Sequence, residues 1–235
     1  MSFLKLENNN YYYEIVGSGP PLVLSHPYMS STSHWHKSGW VEMLSKHNTL
    51  IMFDYTGHGK SACPKEIDKY YISYVSKVLI NILDHNEIDK FSILGFSMGG
   101  RICYELIRNY SDRISSMLVG GMHAKAPASH KKIINYKEEN LSPIIREKFD
   151  LNGLKLSNEA QDEWVGAEDI IPNFSKPCFM FAGSEDPYYN WIESTASKFN
   201  DCELFAMQGL GHIGAFWRIN RIKEKIKFFL EMQNK

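Results

Sequence analysis

Apolar residues gather along the chain into short continuous runs, separated by longer stretches in which they recur at helical spacing. "PLVLSH" (21–26), "TLIMFD" (49–54), "FSILGF" (91–96), "SSMLVGGM" (115–122) and "PCFMFAG" (177–183) are runs of the first kind. A run of that length, bounded by turn residues, predicts a buried strand. "YYYEIV", ahead of the Gly-Pro turn at 17–20, predicts another strand, and "ELFAM" (203–207) a short last one. The second kind is clearest at 67–88, where Val75, Val78, Leu79, Ile82 and Leu83 fall on one helical face. Residues 98–110 read as a helix that tolerates two early glycines, and 218–232 as an amphipathic closing helix. Strands apolar on both sides and alternating with helices predict the α/β class, with a mostly parallel sheet covered on both faces. Ligands of such sheets sit beyond the carboxyl ends of the strands, so chemistry is to be sought in the residues just after each one.

Residues 124–173 break the alternation. They are rich in charge, with scattered apolar positions such as Ile133, Ile134, Ile144, Ile145, Phe149, Trp164 and Val165. A featureless loop of that length does not suit a compact domain. Two or three short helices are expected there, forming a cap inserted between the core segments 1–123 and 174–235.

Composition narrows the picture. The chain has 235 residues, 43% hydrophobic and 23% charged, with a net charge of −1. That suffices for a sizeable core and gives no basic surface for nucleic acid. No run approaches 18 apolar residues, so no membrane span is expected. "MSFLKLENNN" lacks the apolar core of a secretion signal, and a cytoplasmic location is expected. Cys63, Cys103, Cys178 and Cys202 are irregularly spaced with no CxxC pair, which fits free thiols rather than a disulfide frame or a zinc site. His34 and His36 flank Trp35 without a cysteine or carboxylate partner. No metal or cofactor is expected.

The strand ends carry the candidate chemistry. Gly95-Phe96-Ser97-Met98-Gly99 places one serine between glycines at a strand-to-helix turn. Such a turn exposes the hydroxyl at the top of the sheet, in front of free helix N-terminal amides. A serine needs a base, and His212, in "GLGHIG" after the last strand, is the candidate. The base in turn needs an anion. Asp186, whose backbone is restricted by Pro187, is favoured over its neighbour Glu185. The order Ser97, Asp186, His212 is that of the nucleophile-elbow arrangement. An oxyanion site requires two donors. The amide of Met98 is one, and since Pro27 has no N–H, the amide of Tyr28 is the other, with Met29 as the fallback. Asp54 and His58 in "DYTGHGKS" are expected to organise a turn, and His26 to brace the loop after the 21–26 strand.

These segments resemble the α/β-hydrolase superfamily, in its capped esterase/lipase-like branch. "LVLSHPYMSSTSHW" is similar to the His-Gly-x oxyanion segment, with Pro27 where the family usually has glycine. "MFDYTGHGKS" is similar to the D-x-x-G-H-G-x-S segment, "GFSMGG" to the elbow, "FAGSEDP" to the acid loop and "GLGH" to the histidine loop. The resemblance implies an eight-stranded, mostly parallel sheet and hydrolysis through an acyl-serine. It also places Trp35, Trp164 and Phe216 near a substrate pocket. The implied partner is a small molecule with an acyl group: a small or medium ester, lactone or thioester. Carbon–carbon bond hydrolysis, or thioester and acyl-transfer chemistry with a carrier protein, would use the same three residues. A non-catalytic ligand-binding protein on this fold is the reading from another class.

Overall fold

The computed structural model describes residues 2–127 and 141–233. Eight strands form one sheet: β1 (Ser2–Leu6), β2 (Asn9–Gly17), β3 (Pro21–Ser25), β4 (Thr49–Phe53), β5 (Phe91–Phe96), β6 (Ile114–Gly120), β7 (Cys178–Gly183) and β8 (Cys202–Met207). Their order is β1-β2-β4-β3-β5-β6-β7-β8. The β1–β2 and β2–β4 pairs are antiparallel and all others are parallel. The α/β class and the mostly parallel sheet are therefore as expected. β1 was not anticipated. It folds back onto β2 through Glu7 and Asn8, both at positive φ, the geometry of a two-residue hairpin turn. Lys69 and Lys77 both pair with the Glu7 carboxylate.

Successive residues of each inner strand serve opposite faces of the sheet. Val23, Ile51, Ile93, Val119 and Met180 pack on one side, beneath α3 (Ile72–His85) and α4 (Met98–Tyr110). Leu24, Met52, Leu94, Leu118 and Phe181 pack on the other. That second face is covered by α1 (Thr32–Lys37), α2 (Trp40–Leu44) and the C-terminal helices through Trp35, Trp40, Phe216, Ile226 and Leu230. Burial on both faces is the reason these strands read as unbroken apolar runs.

Two predicted helices are shorter than their sequence patterns. The stretch 67–88 begins as a 3-10 turn, Ile67–Tyr70, and the extended backbone of Tyr71 separates it from α3. After β7 comes α7 (Tyr189–Ala196), and the closing stretch breaks at Arg218, so that a 3-10 turn at Ile219–Arg221 precedes α9 (Lys223–Gln233). Among the described residues between β6 and β7 are two short α-helices, α5 (Pro143–Lys148) and α6 (Leu151–Ala160). Ser142 and Asp150 cap them, accepting from the amides of Ile145 and Gly153. Ile133 and Ile134 lie outside the described residues.

The chain runs from β3 outward to β4, then crosses back over β3 to β5 on its other side. The strand order thus reverses between β3 and β5, which opens a crevice at their carboxyl ends. The loop 26–31 leaves β3 there, and Ser97 leaves β5 beside it.

Candidate active site

Ser97 sits between β5 and α4 with φ 54° and ψ −119°. A non-glycine residue holds that conformation only when its surroundings impose it. Its amide donates to the carbonyl of Gly120 in β6 at 2.8 Å. The tight crossing depends on glycine: a Cβ on Gly99 would stand 2.0 Å from the carbonyl oxygen of Ser25, and one on Gly95 2.3 Å from that of Gly99.

Three separate strand ends converge on the hydroxyl. His212 Nε2 lies 3.0 Å from Ser97 Oγ, and His212 Nδ1 lies 2.7 Å from Asp186 Oδ2. Asp186 is fully buried at its side chain, whereas His212 is partly open to solvent. The other carboxylate oxygen, Oδ1, accepts from the amide of Tyr188 at 2.9 Å. A carboxylate only accepts, so Nδ1 carries the ring proton and Nε2 is left to accept from the serine hydroxyl. Glu185, the rival for Asp186, has an exposed side chain. His212 is not in a loop as expected. It is the first residue of α8 (His212–Trp217), which places the ring at a helix start, held between Phe96 and Tyr188 at 5.3 and 5.9 Å between ring centroids.

The segments flanking this chain of bonds are rigid for identifiable reasons. Met98 is the first residue of α4, where the amide has no intrahelical acceptor. The carbonyls of Ser25 and His26 approach Gly99, which brings the loop after β3 against the start of α4. Tyr28 is half-buried in that loop, and its hydroxyl donates to the carbonyl of Leu154 in α6 at 2.7 Å. Met29, next to it, has φ 54°. His26 is buried, stacks on Tyr55 and donates from Nδ1 to the carbonyl of Pro27. Burial, and then the nearby His58, hold its pKa well below the usual imidazole range. Asp54 accepts from the amides of Thr32 and Lys60 at 2.7 and 2.8 Å and so ties the two loops together. Burial raises its pKa against those bonds. His58, bonded to the carbonyl of Thr56, is pushed down to about 4 by burial.

The aromatic residues expected near a pocket are all buried. Trp35 and Phe216 belong to the core on the second face, 5.1 Å apart at their ring centroids. Phe216 is held there by α8, whose buried side it forms. Trp164 is buried against the flank of α4, stacked on Tyr104, with Nε1 donating to Glu105 Oε2 at 3.3 Å. His34 and His36 diverge: His36 pairs with Glu14 at 2.8 Å, and His34 meets the Trp217 ring edge-on.

Three more residues stand beside the hydrogen-bonded chain; Tyr188 is one of the aromatics that the family resemblance sets near the catalytic loops, while His123 and Arg101 were not singled out from sequence. Tyr188 supplies the amide to Asp186 and a wall to His212. His123, after β6, packs edge-on against Tyr188 and Trp191, and burial, then the Arg101 charge, push it down to about 4. Arg101, one helical turn from Ser97, is 3% exposed. Its signal in the sequence was a lone charge between Gly100 and Ile102 in a helix whose first turns are otherwise uncharged.

The chain can now be set beside known proteins. 3-oxoadipate enol-lactonase 2 of Acinetobacter baylyi is 27% identical over 128 residues, covering 53% of this chain and 46% of that protein. The matched stretches take in less than half the length of such curated relatives. Among solved structures, a hydrolase from Pseudomonas aeruginosa superposes with a TM-score of 0.84 at 18% identity, over 97% of both chains. The enol-lactonase from Burkholderia xenovorans LB400 does so at 0.82 and 21% identity, over 98% of this chain and 100% of that one. At those identities the structural likeness is one of fold. The family likeness is carried by sequence: residues 20–149, more than half of the chain, match the alpha/beta hydrolase fold family, and the chain belongs to it.

Proposed function

We propose that this chain is a serine hydrolase that cleaves a small or medium ester, lactone or thioester through an acyl-serine intermediate. The observation that carries the reading is the continuous hydrogen-bonded line from Asp186 Oδ2 through the His212 ring to Ser97 Oγ, at 2.7 and 3.0 Å. In this reading His212 Nε2 takes the Ser97 proton as Oγ attacks the carbonyl carbon. Asp186 holds the ring and balances the imidazolium. The amides of Met98 and Tyr28 hold the oxyanion. His212 then protonates the leaving group, and water repeats the sequence on the acyl-serine. Helices α5 and α6, tied to the loop after β3 by Tyr28, act as a cap inserted between 1–123 and 174–235. No helix among the described residues is long and apolar enough to cross a membrane, and the reading takes a small acyl compound as substrate.

The test is covalent labelling with a fluorophosphonate, read by intact mass on the wild type and on Ser97→Ala. One adduct on the wild type and none on the variant is the expected outcome. Folded wild-type protein that stays unlabelled would instead favour a ligand-binding protein on a hydrolase fold.

A further inference from the structure

Arg101 is a buried cation with no anion beside it among the described residues. Helix α4 places it four residues after Ser97, on the same helical face, and helical side chains lean toward the N-terminus. The guanidinium therefore leans back toward the turn that begins at Ser97. Its hydrogen bonds are two long ones from Nη1 to Gln161, 3.3 Å to Oε1 and 3.5 Å to the carbonyl. Its Nε is buried with no partner. Its flat face rests on Trp164 at 5.3 Å.

The other two arginines of this region are neutralised. Arg108, on the same helix, pairs with Asp169, and Arg113 pairs with Asp84. No described carboxylate pairs with Arg101. Glu105, one turn further on, is occupied by Asn109 and Trp164. Asp162 is exposed, and Asp186 is engaged by His212. Burying an unpaired charge is expensive, and a bound anion would remove the expense. His123, after β6, lies within reach of the Arg101 and Lys125 charges and of the Glu168 and Asp186 carboxylates. Tyr188, whose ring walls His212, is within reach of the Arg101 charge, and Arg101 stands one helical turn along α4 from Ser97.

We propose that Arg101 is the anion-binding residue of this site, and that the substrate is an ester or lactone bearing a carboxylate a few bonds from the scissile carbonyl. The ester part rests on the serine-hydrolase reading above; the anion part rests on Arg101 alone. A guanidinium offers a carboxylate two parallel donors, and with Nε and Nη2 uncommitted this one has them available.

The experiment compares two esters of one length. Mono-4-nitrophenyl glutarate carries the carboxylate, and its methyl ester does not. For the wild type, kcat/KM is expected to favour the charged ester by about tenfold or more, the range of a charge-assisted bond. In Arg101→Met that ratio should fall to near one, chiefly through KM, and Arg101→Lys should retain part of it. A wild-type ratio near one overturns the proposal. So does a ratio that survives Arg101→Met while both rates fall together, since Arg101 would then only brace α6 through Gln161 and Trp164. A second measurement needs neither turnover nor that variant: calorimetric titration of Ser97→Ala with glutarate and with glutaramide. Binding of glutarate alone supports the anion site, and no binding of glutarate overturns it. Failure of the hydrolase reading appears separately, as no labelling and no cleavage of either ester, and the titration still decides the role of Arg101.

Discussion

At Ser97 the backbone is held where few side chains go, and the carbonyl of Gly120 and the packing at Gly95 and Gly99 do the holding. Strain of this kind costs on the order of 1–3 kcal/mol, and it positions the hydroxyl oxygen 3.0 Å from His212 Nε2. The same residue-level logic separates Asp186 from Glu185. Both follow β7, yet only Asp186 is turned inward, where one oxygen takes the Tyr188 amide and the other the His212 ring. Asp186→Asn preserves the shape but lets an amide donate to Nδ1, which leaves Nε2 protonated and unable to act as a base. A loss in kcat on the order of 10⁴ is expected from that tautomer change. Glu185→Gln should leave kcat within about threefold, as surface changes do. Steady-state rates on an ester substrate check both, and equal losses would place the acid elsewhere.

Among the elements, the junction of β3 with α4 decides the geometry of the site. The backbone of Ser25 and His26 lies against Gly99, so the loop bearing Tyr28 and the helix bearing Met98 are set relative to each other by main chain rather than by adjustable side chains. A methyl at position 99 would have to displace backbone. Gly99→Ala is therefore expected to lower stability by about 1–3 kcal/mol or more, read as a shift in the urea midpoint at constant slope. An unchanged midpoint would mean that the two elements can slide apart freely. Sequence pattern located these elements well where burial is two-sided, as in β5 and α4, and poorly where it is not. β1 is a half-exposed edge strand, with Phe3 largely in solvent. The break at Arg218 has no sequence mark as strong as proline, because the helical spacing of 218–232 continues through it.

Taken as a whole, the molecule buries several neutral histidines beneath its top loops. His26 and His58 lie 5.5 Å apart at their ring centroids, and His123 stands on the far side of the His212 ring's neighbour Tyr188. For His58 the folded value, about 4, lies below the ordinary 6.5. Between those two values the unfolded chain binds a proton that the folded chain refuses. Its contribution is thus fully present above pH 6.5 and is lost as pH falls through 4, a drop of about 3 kcal/mol for this one group. Urea midpoints should fall steadily from pH 7 to pH 4. His58→Asn, which can keep the bond to the Thr56 carbonyl but cannot take the proton, should flatten that slope. A midpoint independent of pH over this range would refute the account.

The sequence by itself determined the α/β class, the order of the inner strands and helices, and the three residues whose side chains meet at the strand ends. It could do so because two-sided burial writes unbroken apolar runs, and because a tight strand-to-helix turn such as that at Ser97 needs small residues at fixed offsets. Only the tertiary structure decided which side chains share a space. Trp35, Trp164 and Phe216 are aromatic and adjacent to the right motifs, yet they are packed into the two cores, Trp35 and Phe216 on the buried sides of their helices. Arg101 reads in one dimension as one charge among many. It becomes distinctive only when the sheet order sets α4 beside the loop after β6 and no described carboxylate arrives to meet it. Charge neutralisation between residues distant in sequence is a property of packing, and local pattern holds no record of it.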